Sequence, residues 1–182
     1  MGDAVVLVAE PDVELRELSA ADATAVFALT DSERERIREW LPWVDQTKAV
    51  DDTLAFIART LETEGKELAF GIWVAGELAG TIGLTIDAEA RAGEIGYWLA
   101  AAFEGRGIVT RSCRALIEHG FGSLVLHRIE IQADPRNARS RAVPERLGFT
   151  LEGHHRDAAV MNGRFVDLVV YGLLEDEWRG RS

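Results

Sequence analysis

The stretch GEIGYWLAAAFEGRGIVTRSC, Gly93 to Cys113, changes its periodicity halfway. Its first half, Glu94-Ile95-Gly96-Tyr97-Trp98-Leu99, is rich in β-formers and too short for a buried helix, so a strand is expected. Val109, Cys113, Leu116, Ile117 and Phe121 then recur at helical spacing. Between the two lies Glu104-Gly105-Arg106-Gly107-Ile108-Val109, a glycine-bearing turn that leads into the helix N-terminus. A helix start offers backbone N–H groups without intrahelical acceptors and the positive end of the helix dipole. The turn is therefore expected to receive a phosphate.

Upstream, residues 1–10 read as a loosely held arm, and Val13 to Arg16 alternates as a strand. Ser19-Ala20-Ala21-Asp22 supplies an N-cap with an acid three residues on, opening a helix to about Thr30. A second helix is expected from Glu33 to about Trp40, stopped by Pro42. A third runs from Val50 to Glu64, with Leu54, Ile57, Ala58 and Leu61 on one face and Gly65 as its cap. Leu68–Val74 and Leu78–Asp87 read as a hairpin around Ala75-Gly76-Glu77. Downstream, Arg128–Ala133 alternates as a strand and Asn137–Leu147 is a polar helix. Thr150–His155 and Phe165–Leu174 close the chain as strands, with Asn162-Gly163 as a type I′ turn signal. With no repeat or linker, this order predicts one α/β (α+β) domain over 1–182, a mixed sheet with helices on both faces.

A net charge of −11 argues against a nucleic-acid binder, which presents a basic face, and favours approach of a cationic acceptor. No apolar run is long enough for a membrane span, and MGDAVVLVAEPD lacks the basic start of a signal peptide. The one cysteine, Cys113, lies on the helical apolar stripe, where packing is its expected role; a chain without disulfides fits the cytoplasm. The four histidines and Cys113 have no metal-ligand spacing, so no metal is expected.

The turn lacks the Gly-Lys-Ser/Thr ending of an NTPase loop and the three-glycine spacing of a dinucleotide fold. Read with Asn137-Ala-Arg-Ser140-Arg-Ala-Val-Pro-Glu-Arg-Leu-Gly-Phe149, the Arg38-Glu-Trp-Leu-Pro-Trp43 run and Asn162-Gly-Arg-Phe165, however, it resembles the GNAT superfamily of acyl-CoA-dependent N-acetyltransferases. Within it, the RimJ/RimL-type branch, whose named members acetylate N-terminal residues of ribosomal proteins, is the nearest pattern. The resemblance covers about residues 12 to 178. It implies a mostly antiparallel twisted sheet with a splayed central strand pair. A pantetheine arm would lie against Tyr97, Trp98 and Leu99, with its pyrophosphate at Arg106, Gly107, Ile108, Val109 and Thr110. It also implies that Asn137 hydrogen-bonds the pantetheine and that Ser140 lies near the sulfur. Asn137 is equally a favoured N-cap. Glu104 stands where the family usually carries an amide or guanidinium, and it is expected to face away.

Pro144 has no N–H, so the helical bond to the Ser140 carbonyl cannot form there. Glu94, at the start of the cofactor strand, is the carboxylate expected to serve as general base, as a similarly placed glutamate does in histone acetyltransferases. Many relatives carry an acid where this chain has Ala159, and Asp157 is the nearby substitute. Trp40 and Trp43 fall where the branch builds its acceptor cleft. The cosubstrate implied is acetyl-CoA, with longer acyl-CoA left open. The expected acceptor is a protein or peptide N-terminus: a free α-amine near pKa 7.8 is roughly one-third neutral at about pH 7.5 and a lysine only on the order of 0.1%, so a weak base favours an α-amine or a small amine of low pKa. A small amine as acceptor, and an acyl-CoA-binding sensor without catalysis, are the alternatives. The sequence is compatible with a homodimer and does not fix the oligomeric state.

Overall fold

In the computed structural model, which describes residues 5–9, 11–63 and 65–180, one sheet organises the chain. Among the described residues its strands are β1 (Val6–Ala9), β2 (Val13–Glu17), β3 (Glu67–Val74), β4 (Glu77–Asp87), β5 (Ala92–Leu99), β6 (Arg128–Ala133), β7 (Thr150–Met161) and β8 (Arg164–Leu174). They lie in the order β1-β2-β3-β4-β5-β6-β8-β7. Every neighbouring pair is antiparallel except β5 and β6.

Alternation along β3 shows why helices cover both faces. Phe70, Ile72 and Val74 point into the larger core, built with α4 (Ile108–Gly122) through Cys113, Leu116 and Ile117. Ala69 and Trp73 point the other way, toward α1 (Ala23–Ser32) and α3 (Val50–Glu62) through Val26 and Ile57. A third cluster joins Trp98 to Ile37 of α2 (Arg34–Ile37) and to Val44 of the 3-10 turn Pro42–Asp45. Helix α5 (Ala138–Leu147) follows β6, and α6 (Glu175–Arg179) ends the described chain.

Several expectations are corrected. Within the anticipated arm, residues 6–9 form β1, paired to β2 from Val6↔Arg16 to Ala9↔Val13; residues 1–4 and Glu10 lie outside the described residues. The second helix is four residues long, because the chain tightens after Ile37 and the Trp40 N–H reaches back only to the Ile37 carbonyl. Helix α3 ends at Glu62, and it buries Thr53, Ile57 and Thr60 instead of Ala58 and Leu61. Buried threonines are tolerated because the Thr60 hydroxyl donates to the Ile57 carbonyl (2.8 Å), leaving its methyl for the core. β7 runs on to Met161 through two irregularities in its pairing with β8. Cys113 is buried as expected, and burial pushes its thiol pKa up.

Candidate active site

The pairing of β5 with β6 stops early. Only Ala92↔Arg128, Gly93↔Ile129 and Glu94↔Glu130 are in register, whereas β5 continues to Leu99 against β4 and β6 continues to Ala133 against β8. The two parallel strands therefore diverge after Glu94 and leave backbone groups facing a V-shaped gap. Their identity follows from alternation. The Ala100 N–H bonds the Ala79 carbonyl (2.8 Å), and the β4–β5 register is unbroken, so Trp98 and Gly96 direct their backbone groups to β4. Tyr97 and Leu99 turn theirs to the gap. The Leu99 carbonyl accepts a bond from the Arg36 guanidinium, which fits that assignment.

Trp98 accordingly does not offer the gap what the sequence led one to expect. Its side chain is buried with Ile37 and Val44, and its backbone belongs to the β4 ladder. Tyr97 offers more than a strand amide. Its hydroxyl donates to the Ser140 carbonyl (3.0 Å) and lies 3.3 Å from Ser140 Oγ. Pro144 explains the first bond: lacking an N–H, it frees the Ser140 carbonyl within α5. With its one proton committed there, the tyrosine oxygen receives the serine hydroxyl. Burial is the chief cause of a raised Tyr97 pKa, so the phenol stays protonated at any physiological pH. Asn137 caps α5, its Oδ1 accepting the Ser140 N–H at 3.0 Å, which leaves its Nδ2 donors as what it can offer a ligand.

Beyond the open end of the gap, Gly107 caps α4 in the left-handed region at φ 70°, which places glycine there at little cost. No side chain caps the helix, so Ile108, Val109 and Thr110 present their N–H groups to the turn. The Ile108 side chain itself is core. Five arginines surround this start. Arg106 lies over the Phe103 ring with Nη2 3.8 Å from Asp12, and Arg111 reaches Asp12 at 2.8 Å. Arg146 of α5 donates to Thr110 Oγ1 (3.2 Å). Glu104 does not face away: Arg36 (2.6 Å) and Arg139 of α5 both hold its carboxylate. The hydrogen bond from Arg111, then the nearby arginine charges, keep Asp12 below the usual carboxylate range despite some desolvation.

Glu94 sits at the vertex of the gap. Glu130, opposite it, receives Arg128 Nε at 3.0 Å, and Arg128 also holds Glu152 (2.9 Å). Glu94 receives instead the amide of Gln132 at 3.3 Å. Desolvation first, and the Glu130 charge second, raise its pKa above the ordinary value. Next to Glu94 on the same face of β5 is Gly96, where an added Cβ would meet nothing within 4 Å. That bare strip lets a ligand approach the strand backbone.

A groove of about 570 Å³ opens beside the C-terminal end of β6, lined among others by Glu39, Asp134, Arg136, Phe165 and Asp167. Arg136 lies 5.9 Å over the Trp40 ring and holds the buried Asp134 (Nε to Oδ1 3.0 Å). This brings Trp40 to the groove, whereas Trp43 is a partly exposed residue of the neighbouring 3-10 turn. Asp157 occupies the irregular part of β7, and its N–H donates to Asp167 Oδ1 (2.9 Å). Asp167 also pairs with His154 (2.7 Å). Those two hydrogen bonds lower its pKa. Asp167 was not anticipated from the sequence, where Phe165–Leu174 reads as an ordinary strand. No cluster of potential metal ligands and no helix long and apolar enough to cross a membrane occurs among the described residues.

A family model described as an acetyltransferase (GNAT) domain matches residues 12–150. The chain is 38% identical over 174 residues to the "Putative ribosomal N-acetyltransferase YdaF" of Bacillus subtilis, covering 93% of this chain and 95% of that one. It is 28% identical to the ribosomal-protein-serine acetyltransferase of Escherichia coli, covering 90% and 93%. Among solved structures, a RimL ribosomal L7/L12 α-N-protein acetyltransferase in complex with coenzyme A superposes with a TM-score of 0.91 at 27% identity, covering 95% of this chain and 99% of that one.

Proposed function

The chain belongs to the GNAT acetyltransferase family and is an acetyl-CoA-dependent N-acetyltransferase, and from that premise we propose that its acceptor is the N-terminal α-amine of a cytoplasmic protein or peptide. The observation that carries the site assignment is the divergence of β5 from β6 after Glu94, ending at the uncapped start of α4. A pantetheine chain would use the gap as a peptide uses a sheet edge, its amides bonding the Tyr97 and Leu99 backbone groups. The diphosphate would take the N–H groups of Ile108, Val109 and Thr110, with Arg106 beside them.

The reaction is then direct attack. The amine nitrogen forms a bond to the thioester carbonyl carbon, the carbon–sulfur bond breaks, one N–H proton is lost and the thiolate gains one. A strand N–H directed into the gap would stabilise the developing oxyanion. Glu94 takes the amine proton, directly or through water, and the leaving thiolate, hydrogen-bonded by the Ser140 hydroxyl, takes its proton from a water which that hydroxyl holds, so that the serine ends the turnover intact. Holding both reactants in one cleft supplies much of the rate. In the groove, Asp167 and Glu39 attract the cationic α-amine, and Trp40, beside Arg136, flanks its approach. Two relatives named for acetylation of ribosomal proteins support this acceptor class.

A panel of peptides and small amines, assayed for thiol release from acetyl-CoA, tests the reading. Release with free α-amine peptides and none with N-terminally blocked ones is expected. Release confined to polyamines or aminoglycosides replaces the acceptor, and cofactor binding without release under any amine makes the chain a sensor.

The base can be tested by pH. Glu94 must be ionised, so kcat/KM should fall as pH drops through its raised pKa, a limb above the ordinary value near 4.3. Glu94→Gln should remove that limb and lower kcat about tenfold or more. The stability sign is opposite. Because folding raises this pKa, ionisation costs stability as pH climbs from the unfolded value through the folded one. Glu94→Gln should therefore raise Tm at neutral pH while lowering activity. Unchanged activity with the limb intact would remove Glu94 from the mechanism.

A further inference from the structure

The phosphate turn carries a carboxylate of its own, and that carboxylate holds two arginines of unlike character. Arg36 Nη1 bonds Glu104 Oε1 at 2.6 Å, while its Nε bonds Glu33 (2.7 Å) and its Nη2 the Leu99 carbonyl. Three oxygens from three segments fix it in place. Arg139 reaches Glu104 Oε2 from the first turn of α5, across the mouth of the β5–β6 gap, and its side chain is 83% exposed. An exposed ion pair of this kind contributes little to stability and opens readily. A diphosphate seated on the α4 N-terminus would lie beside Glu104 and offer more charge and more acceptor oxygens than one carboxylate.

We propose that Arg139 is a further phosphate-binding residue of this site, and that Glu104 is an internal competitor for it, exchanged for the cofactor's diphosphate on binding. The inference rests on the cofactor placement given above. Arg36 keeps its three partners and stays behind as the anchor of Glu104, so the exchange is confined to Arg139. The consequence is functional: Glu104 weakens the hold on coenzyme A and speeds its release, because each departure is assisted by a carboxylate ready to recapture the arginine.

Equilibrium binding of coenzyme A and of 3′-dephospho-coenzyme A, measured by calorimetry on the wild type, Arg139→Ala, Glu104→Gln and the double variant, tests this. Glutamine retains an acceptor for Arg36, and unchanged Tm in each variant checks the fold. Arg139→Ala should weaken both ligands about tenfold, the worth of one exposed charge-assisted bond. Glu104→Gln should tighten both about fivefold, a smaller effect because it removes only the competitor. That gain should vanish in the Arg139→Ala background. The proposal is overturned if Arg139→Ala binds normally, if Glu104→Gln binds more weakly, or if the gain survives without Arg139. A loss seen with coenzyme A and absent with the dephospho form contradicts the diphosphate assignment. Failure of the wild type to bind either ligand would instead remove the cofactor placement itself.

Discussion

Replacing Ser140 by alanine is expected to lower kcat about 100-fold while coenzyme A affinity changes by no more than about threefold. The split follows from what the side chain touches. Its backbone is positioned without its hydroxyl: the Ser140 N–H is held by Asn137, and its carbonyl by Tyr97. Alanine keeps both bonds, so α5 and the gap survive. What is lost is a hydroxyl in loose contact with Tyr97, at 3.3 Å beyond the usual range for an O–H···O bond and so able to swing to a leaving thiolate. Tyr97→Phe should act differently. It leaves the Ser140 carbonyl, already without a helical donor because of Pro144, with no partner, costing about 1 kcal/mol or more in stability. Its kcat should fall less than that of Ser140→Ala. Equal losses in kcat/KM and in cofactor affinity for Ser140→Ala would assign the serine to binding alone.

The second large effect concerns stability. Gly80 of β4 lies against β5 so closely that a Cβ would meet the Trp98 carbonyl oxygen at 2.2 Å and the Leu99 Cα at 2.9 Å. Both obstacles are backbone, which cannot rotate aside. Gly80→Ala must push β5 away from β4, and β5 is the strand whose other edge forms the gap. A cost of about 3 kcal/mol is expected, a Tm loss of about 10 °C, with coenzyme A binding weakened in parallel. Gly96→Ala is the control, since its Cβ meets nothing within 4 Å. It should leave Tm unchanged or slightly raised and act only on turnover, through the bare strip beside Glu94. Equal thermal stability for the two variants would contradict the packing described here.

The contrast between those glycines also marks how far the sequence could be read. Local signals were legible. The turn into α4 and the Asn162-Gly163 hairpin, with φ of 51° and 74°, follow from residue types at fixed spacing. Asn137 as a cap follows in the same way. The family pattern added the divergence of β5 from β6. Pairings set by the assembled fold were not legible. Arg36 and Arg139 lie 68 and 35 residues from Glu104, and nothing local announces that they converge on it. Glu104 looked like a misplaced charge because its partners were invisible. Face assignment failed in α3 for another reason: Thr53 and Thr60 count as polar in a periodicity reading, yet both are buried, and the Thr60 hydroxyl, satisfied within its own helix, lets that residue bury like valine. Pro144 was half legible. Its consequence, a free Ser140 carbonyl, was readable; that Tyr97 would fill it required knowing that β5 passes alongside α5.

The central claim is that the cofactor arm lies between β5 and β6 with its sulfur beside Ser140. A crystal structure with a coenzyme A–peptide conjugate, joined through the sulfur to an N-terminal α-amine, tests it most directly. The account predicts the pantetheine amides on the Tyr97 and Leu99 backbone, the diphosphate on the Ile108–Thr110 N–H groups, and Ser140 Oγ within hydrogen-bond reach of the sulfur. A conjugate bound outside the gap, or a sulfur well removed from Ser140 with the peptide away from the Asp167 groove, would contradict it.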